Sequence, residues 1–108
     1  MLIVGDAPDL EDALRARGYA VSATPVPDTL GPLMTELQGV SAVCWLGDAR
    51  LLGSFAAKLV DTHVRGFACR AEHAGLAERF AATYRMPTAV IEGGRPDDAV
   101  RAVESIIG

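Results

Sequence analysis

Charged side chains follow several short apolar runs of the 108-residue chain, and together they could bind an anionic or zwitterionic ligand. Two are arginines, whose guanidinium groups pair with carboxylates and phosphates, and three are carboxylates, one of which could polarise a bound group. The five residues are Asp6, Asp48, Arg70, Glu72 and Arg95. The alternative interpretation is that they form only a solvated rim of loops.

Glycines stand beside these charged residues and complete the candidate ligand-binding set. They are Gly5, Gly47, Gly93 and Gly94. The last two precede Arg95, so this turn could form a nest of backbone N–H groups with a guanidinium group beside it. A plain strand-to-helix turn explains the same two glycines, and both interpretations stay open. No residue is assigned a catalytic role, and the cofactor, if there is one, is unknown.

The cysteines and histidines predict no metal centre. Cys44 and Cys69 are too few for a disulfide scaffold or a four-ligand zinc site, and each lies in an apolar run. We expect two buried free thiols, although their strands could be neighbours, which leaves a redox pair open. His63 and His73 have no second histidine at metal-ligand spacing, so surface or capping roles are expected for them.

The elements that would position these residues are five βα units. Five short β-prone runs are each followed by a turn and by apolar residues at a spacing near 3.6. Strands are expected at 2–4, 19–26, 40–46, 64–69 and 88–91, and helices at 10–17, 30–37, 51–60, 76–84 and 96–107.

Right-handed crossovers with one reversal of direction predict an α/β fold, a doubly wound three-layer α/β/α sandwich with five parallel strands in the order 2-1-3-4-5. We expect residues 1–108 to form a single Rossmann-like or flavodoxin-like domain. Ligands of such sheets bind at the carboxyl ends of the strands, where the candidate residues fall.

Composition excludes some partners and suggests others. The net charge is −4 with scattered basic residues, which argues against nucleic-acid binding. No signal peptide and no run of about 20 apolar residues is present, so we expect a cytoplasmic protein without a membrane segment. Nine of the ten basic residues are arginine, a bias typical of a GC-rich bacterial genome.

An apolar content of 50% in a chain this small favours self-association, and we expect a homodimer or another homo-oligomer. Helices three and four are the predicted contact faces, because both carry large apolar side chains. These side chains are Leu51, Leu52, Phe55, Leu59, Phe80 and Tyr84.

Three stretches of the chain resemble atypical short-chain dehydrogenase and epimerase-like proteins, which bind NAD(P). Residues 37–47 resemble the region where a helix leads into a central strand and a glycine near the cofactor, and 64–67 and 88–91 resemble two later strands. The resemblance implies a Rossmann-like fold with one strand missing. The three spaced glycines of the family's first turn are replaced by Gly5-Asp6-Ala7-Pro8, and its Tyr-x-x-x-Lys is absent. This implies a binding or assembly module without standard cofactor chemistry.

Residues 2–10 resemble the opening of response-regulator receiver domains. That resemblance implies a signalling domain in which acidic residues hold magnesium near a phosphoryl group. Asp6 is the single acid of the first turn, Asp48 lies just past strand three, and Arg95-Pro96 replaces the family's Lys-Pro. Three functions therefore stay open: a binding or assembly module, a small-molecule site or enzyme at the strand ends, and a receiver-like signalling domain.

Overall fold

Five short parallel strands form one sheet in the computed structural model, which describes residues 1–26, 28–29, 31–47, 51–59, 62, 64–92 and 95–107. The strands are β1 (Leu2–Val4), β2 (Ser22–Thr24), β3 (Ala42–Trp45), β4 (Gly66–Arg70) and β5 (Thr88–Ile91). Their order is β2-β1-β3-β4-β5, and every pairing is parallel. The predicted fold class and strand order are confirmed.

In the part of the chain that the structure describes, five helices cover the two faces of the sheet. They are α1 (Pro8–Ala16), α2 (Gly31–Glu36), α3 (Leu52–Leu59), α4 (Ala74–Tyr84) and α5 (Pro96–Ile107), with a 3₁₀ turn at Ala71–His73 before α4. Helices α1 and α5 pack on one face against residues such as Ile3 and Cys44. Helices α2, α3 and α4 pack on the other against Val43 and Trp45. Both faces of β3 are thereby covered, which explains why its residues are all buried and apolar.

The ends of β2 differ from the prediction. A strand at 19–26 was expected, whereas the observed strand covers only Ser22–Thr24. Among the described residues it pairs with β1 alone, a strand of three residues, and the register pairs Leu2 with Ser22 and Val4 with Thr24. Because a parallel ladder cannot continue beyond its partner strand, the strand predicted from the residue types is longer than the observed edge strand.

Most of the apolar side chains assigned to the predicted dimer faces on α3 and α4 are buried in the core. Leu52, Phe55 and Leu59 are 0% exposed, and Phe80 is 5% exposed. These side chains form the core between the helices and the sheet, where the ring centroids of Phe55 and Trp45 lie 4.9 Å apart. Tyr84 is the one large apolar side chain that is exposed within the described ranges. The homodimer itself stays a prediction, without the faces first assigned to it.

Among the helices that the structure describes, none combines the length and the apolar character needed to cross a membrane.

Candidate functional site

A cavity of about 460 Å³ opens at the carboxyl edge of the sheet, on the face covered by α1 and α5. The winding of the chain reverses between β1 and β3, so the loops after these two strands leave a crevice between them. The cavity extends from this crevice past β4 to β5 and the start of α5. Its lining residues are Asp6, Ala7, Pro8, Asp9, Leu10, Leu46, Arg70, Ala71, Glu72, Ile91, Arg95, Pro96 and Ala99.

The floor of the cavity is apolar and its rim is charged. Leu10, Ile91 and Ala99 are buried, and Leu46 is half-buried against the same core cluster. The charged lining residues are all exposed, and they comprise three carboxylates and two guanidinium groups. They are Asp6, Asp9, Glu72, Arg70 and Arg95. An apolar floor with a few polar groups at the entrance is the usual composition of a small-molecule site.

A turn at Gly5 positions the β1 side of the cavity. Its backbone N–H donates to the carbonyl of Thr24 at 2.8 Å, and the N–H of Leu46 donates to the carbonyl of Val4 at the same distance. The φ angle of Gly5 is +129°, a conformation that residues with a side chain rarely adopt. This turn carries Asp6 to the cavity and brings the backbone close to Leu46.

Two prolines begin the helices that flank the cavity. Pro8 and Pro96 are the first residues of α1 and α5. Proline suits this position because its fixed φ is helical and the N–H that it lacks would have no partner within the helix. The backbone carbonyl of Arg95 accepts hydrogen bonds from the N–H groups of Asp98 and Ala99, so Arg95 caps α5 at the cavity.

The end of β4 places the second arginine. Arg70 pairs with Ile91 in the parallel ladder of β4 and β5. Side chains alternate along a strand, so Arg70 lies on the same face of the sheet as Ala68, which is the face covered by α1 and α5. Within the described part of the chain, no carboxylate forms an ion pair with Arg70 or Arg95.

The structure brings together four of the predicted site residues. Asp6, Arg70, Glu72 and Arg95 line one cavity, as expected for residues at the carboxyl ends of β1, β4 and β5. Asp48, Gly93 and Gly94 lie outside the described residues, and with them the predicted nest.

Gly5 and Gly47 do not line the cavity; they pack beside it. A Cβ at Gly5 would lie 2.9 Å from the Cβ of Leu46, and a Cβ at Gly47 would lie 2.6 Å from Cγ2 of Val26. Both glycines allow close packing between the loops that follow the strands. Gly5 and Gly47 therefore support the walls of the cavity.

The sequence interpretation missed the apolar floor and one histidine. Leu10 and Ala99 follow the helical apolar pattern of α1 and α5, so they were expected only as core residues. A surface or capping role was expected for His73; it stands at the N-cap position of α4 without a side-chain capping hydrogen bond, and its side chain is only 9% exposed. Its Nε2 atom lies 3.3 Å from the carbonyl oxygen of Gly47 and 3.8 Å from Oε1 of Glu72. This contact joins the loop after β3 to the 3₁₀ turn after β4. His63 lies outside the described residues.

The two cysteines are free and buried on neighbouring strands. Cys44 belongs to the core beneath α1 and α5, and Cys69 to the core on the opposite face. Burial raises the pKa of Cys44 to about 12 and that of Cys69 to about 11. The sheet separates the thiols and both favour the neutral form, so the geometry does not favour a redox pair.

Comparison of the chain with protein-family models, with characterised proteins and with solved structures gives no significant match.

Proposed function

We propose that this protein binds a small organic ligand that carries an anionic group, and that the ligand occupies the cavity at the carboxyl edge of the sheet. The observation that carries the proposal is the combination, in one cavity, of a buried apolar floor with two guanidinium groups on the rim. Arg70 and Arg95 would bind the anionic group through charge-assisted hydrogen bonds. Leu10, Leu46 and Ile91 would contact the apolar part of the ligand.

A dinucleotide is a poor fit for this cavity. In dinucleotide-binding folds the first turn brings backbone N–H groups close to a pyrophosphate. Here Pro8 offers no N–H at the start of α1, and Asp6 and Asp9 line the adjoining wall. Phosphates placed at this wall would be repelled by both carboxylates, so we favour a ligand with an organic body over NAD(P).

The other candidate functions have less support. An assembly module requires an exposed contact face, and four of the six apolar residues first assigned to that face are core residues, whereas Leu51 is half-buried and Tyr84 is exposed. The receiver-like alternative, a domain that signals through its helices without phosphorylation, has no comparable observation behind it, and Asp48 lies outside the described residues. The small-ligand proposal rests only on described residues that meet at one cavity.

Octanoate is a suitable first probe because it has one carboxylate and a flexible apolar chain. In a titration followed by ¹⁵N–¹H NMR, we expect the largest shifts in the amides of Asp6, Leu10, Ala71 and Ala99. Arg70→Ala combined with Arg95→Ala should lower the affinity roughly ten- to a hundredfold, or about 1.4–2.8 kcal/mol. This is less than two well-formed charge-assisted hydrogen bonds would contribute, because both guanidinium groups are exposed to solvent.

Arg79→Ala is the matched control, because Arg79 is an exposed arginine of α4 on the opposite side of the sheet. It should leave octanoate binding unchanged. Octanoate shifts scattered away from the cavity, or an affinity unaffected by the double arginine variant, would refute the proposal. NADPH and inorganic phosphate serve as comparison ligands, for which we expect weaker binding than for octanoate.

A further inference from the structure

Opposite charges lie on opposite walls of the cavity, and this arrangement restricts the class of ligand. Asp6 and Asp9 belong to the turn after β1 and the first turn of α1. Arg70 ends β4, and Arg95 precedes α5. Because β3 lies between β1 and β4, the carboxylate wall and Arg70 arise two strand spacings apart, or about 10 Å, and Arg95 follows β5, one strand further along the sheet.

Apolar side chains occupy the space between the two walls. Leu46 follows β3, the strand that separates β1 from β4, and its backbone N–H is hydrogen-bonded to β1. Leu10 and Ala99 continue the apolar floor beneath it. Along this edge of the sheet, the cavity therefore presents negative charge, apolar surface and positive charge in that order.

No cationic side chain of the described residues competes with a ligand for the carboxylates of this wall. Glu11, on the next turn of α1, pairs with Arg15, whereas no described cation pairs with Asp6 or Asp9. On the other wall, Glu72 follows Arg70 by two residues, but its side chain is 67% exposed, and its Oε1 atom lies 3.8 Å from Nε2 of His73. A simple anion would be attracted to one wall and repelled by the other.

We propose that the ligand is an extended zwitterion, with an ammonium group and a carboxylate at the two ends of an apolar chain. This inference rests on the proposed small-ligand site and adds the ammonium-binding wall of Asp6 and Asp9. Two chemical sources fit a charge separation of about 10 Å: a long ω-amino acid, and an extended tripeptide of small apolar residues, whose three residues span about the same length.

The test compares an eight-carbon ω-amino acid with octanoate by isothermal titration calorimetry. The two compounds share a carboxylate and an apolar chain, and only the first carries an ammonium group. We expect the ω-amino acid to bind roughly tenfold or more tightly than octanoate, as an added charge-assisted interaction predicts. A four-carbon ω-amino acid, which cannot reach both walls, should bind more weakly than the eight-carbon one. Trialanine tests the peptide source. Whichever of trialanine and the eight-carbon ω-amino acid binds more tightly indicates the chemical source of the ligand.

Asp6→Asn combined with Asp9→Asn separates the two proposals. It should remove the preference for the ω-amino acid while leaving octanoate binding equal or stronger, because the repulsive carboxylates are gone. Asp12→Asn is the matched control, since Asp12 is exposed on α1 and does not line the cavity. Circular dichroism verifies that each variant is folded.

Equal affinities for the ω-amino acid and octanoate, or an unchanged preference in the double asparagine variant, would overturn the zwitterion inference and leave the small-anion site standing. Failure of both compounds to bind would overturn the two proposals together.

Discussion

Gly5 is the residue whose replacement tests most directly how the cavity is held in shape. The turn that it forms lies between β1 and α1, with φ at +129° and the place of a Cβ only 2.9 Å from Cβ of Leu46. Gly5→Ala therefore introduces two separate costs, backbone strain and a steric overlap with a residue of the cavity floor.

Two other glycines isolate these costs. Gly18 has φ at +92° but no atom within 4 Å of its Cβ position, so Gly18→Ala introduces backbone strain alone. Gly75 lies in α4 with neither a positive φ nor a close neighbour. Alanine there should stabilise the protein by about 0.5 kcal/mol, because it reduces the conformational entropy of the unfolded chain.

The expected changes in the free energy of unfolding follow from these contacts. Gly18→Ala should destabilise by about 1–2 kcal/mol, the cost of a left-handed backbone for an L-residue. Gly5→Ala should destabilise by a further ~1–3 kcal/mol, since the overlap with Leu46 must be relieved by moving packed atoms. The second increment is the quantity of interest, because it reports the close approach of the β1 turn to the cavity floor.

Urea denaturation followed by tryptophan fluorescence measures all three variants. The chain has a single tryptophan, Trp45, which is 0% exposed, so its emission reports global unfolding. If Gly5→Ala costs no more than Gly18→Ala, the close approach to Leu46 does not constrain the fold and the reasoning is refuted. Where Gly5→Ala remains folded, it should also weaken octanoate binding, whereas Gly18→Ala should not.

Three further predictions concern the core and the association state. The raised pKa values of Cys44 and Cys69 mean that the native thiols should resist iodoacetamide at pH 8 and react after unfolding, and rapid alkylation of the native protein would contradict this. Because the folded state holds these protons more tightly, the contribution of the thiols to stability is constant below about pH 8.5 and decreases from there to about pH 12. Denaturation at pH 8 and at pH 10.5 would detect this decrease. Phe55→Ala should destabilise by about 3–5 kcal/mol, because the ring is fully buried against Trp45, whereas Tyr84→Ala should cost about 1 kcal/mol or less; similar effects in urea denaturation would contradict the assignment of α3 to the core. Light scattering should report a homodimer that Tyr84→Glu dissociates; a wild-type mass constant near 11.3 kDa up to near-millimolar concentration would exclude the dimer.

The order of the strands could be predicted because a few strong constraints act on it. Five βα units, right-handed crossovers and one reversal leave very few arrangements, and the fully apolar β3 had to be central. The extent of β2 could not be predicted in the same way. The residue types at 19–26 are compatible with a strand, but the length of the ladder depends on β1, a partner that is distant in sequence.

The candidate site likewise has a part that could be predicted from the sequence and a part that could not. Asp6, Arg70 and Arg95 could be predicted to meet because each follows or approaches the end of a parallel strand, and such ends share one edge. The floor could not be predicted, because Leu10 and Ala99 have the spacing of ordinary core positions. Whether an apolar helix residue borders a cavity depends on the distance between neighbouring helices. The spacing of residues along one helix does not indicate that distance.

Helices α1 and α5 are joined by polar contacts at the end of these helices opposite the cavity. Near their C-terminal ends, Glu104 of α5 accepts a hydrogen bond from Arg17 at 2.7 Å and another from the hydroxyl group of Tyr19 at 3.2 Å. Along their length, Leu14 and Val103 are fully buried in the core that both helices share. At their N-terminal ends, Pro8 and Pro96 border the cavity, and the charged residues around them are exposed. Close packing and polar contacts thus join the helices on one side of the fold, so a ligand site among the exposed charged residues at the other side, as we propose, would cost the core little.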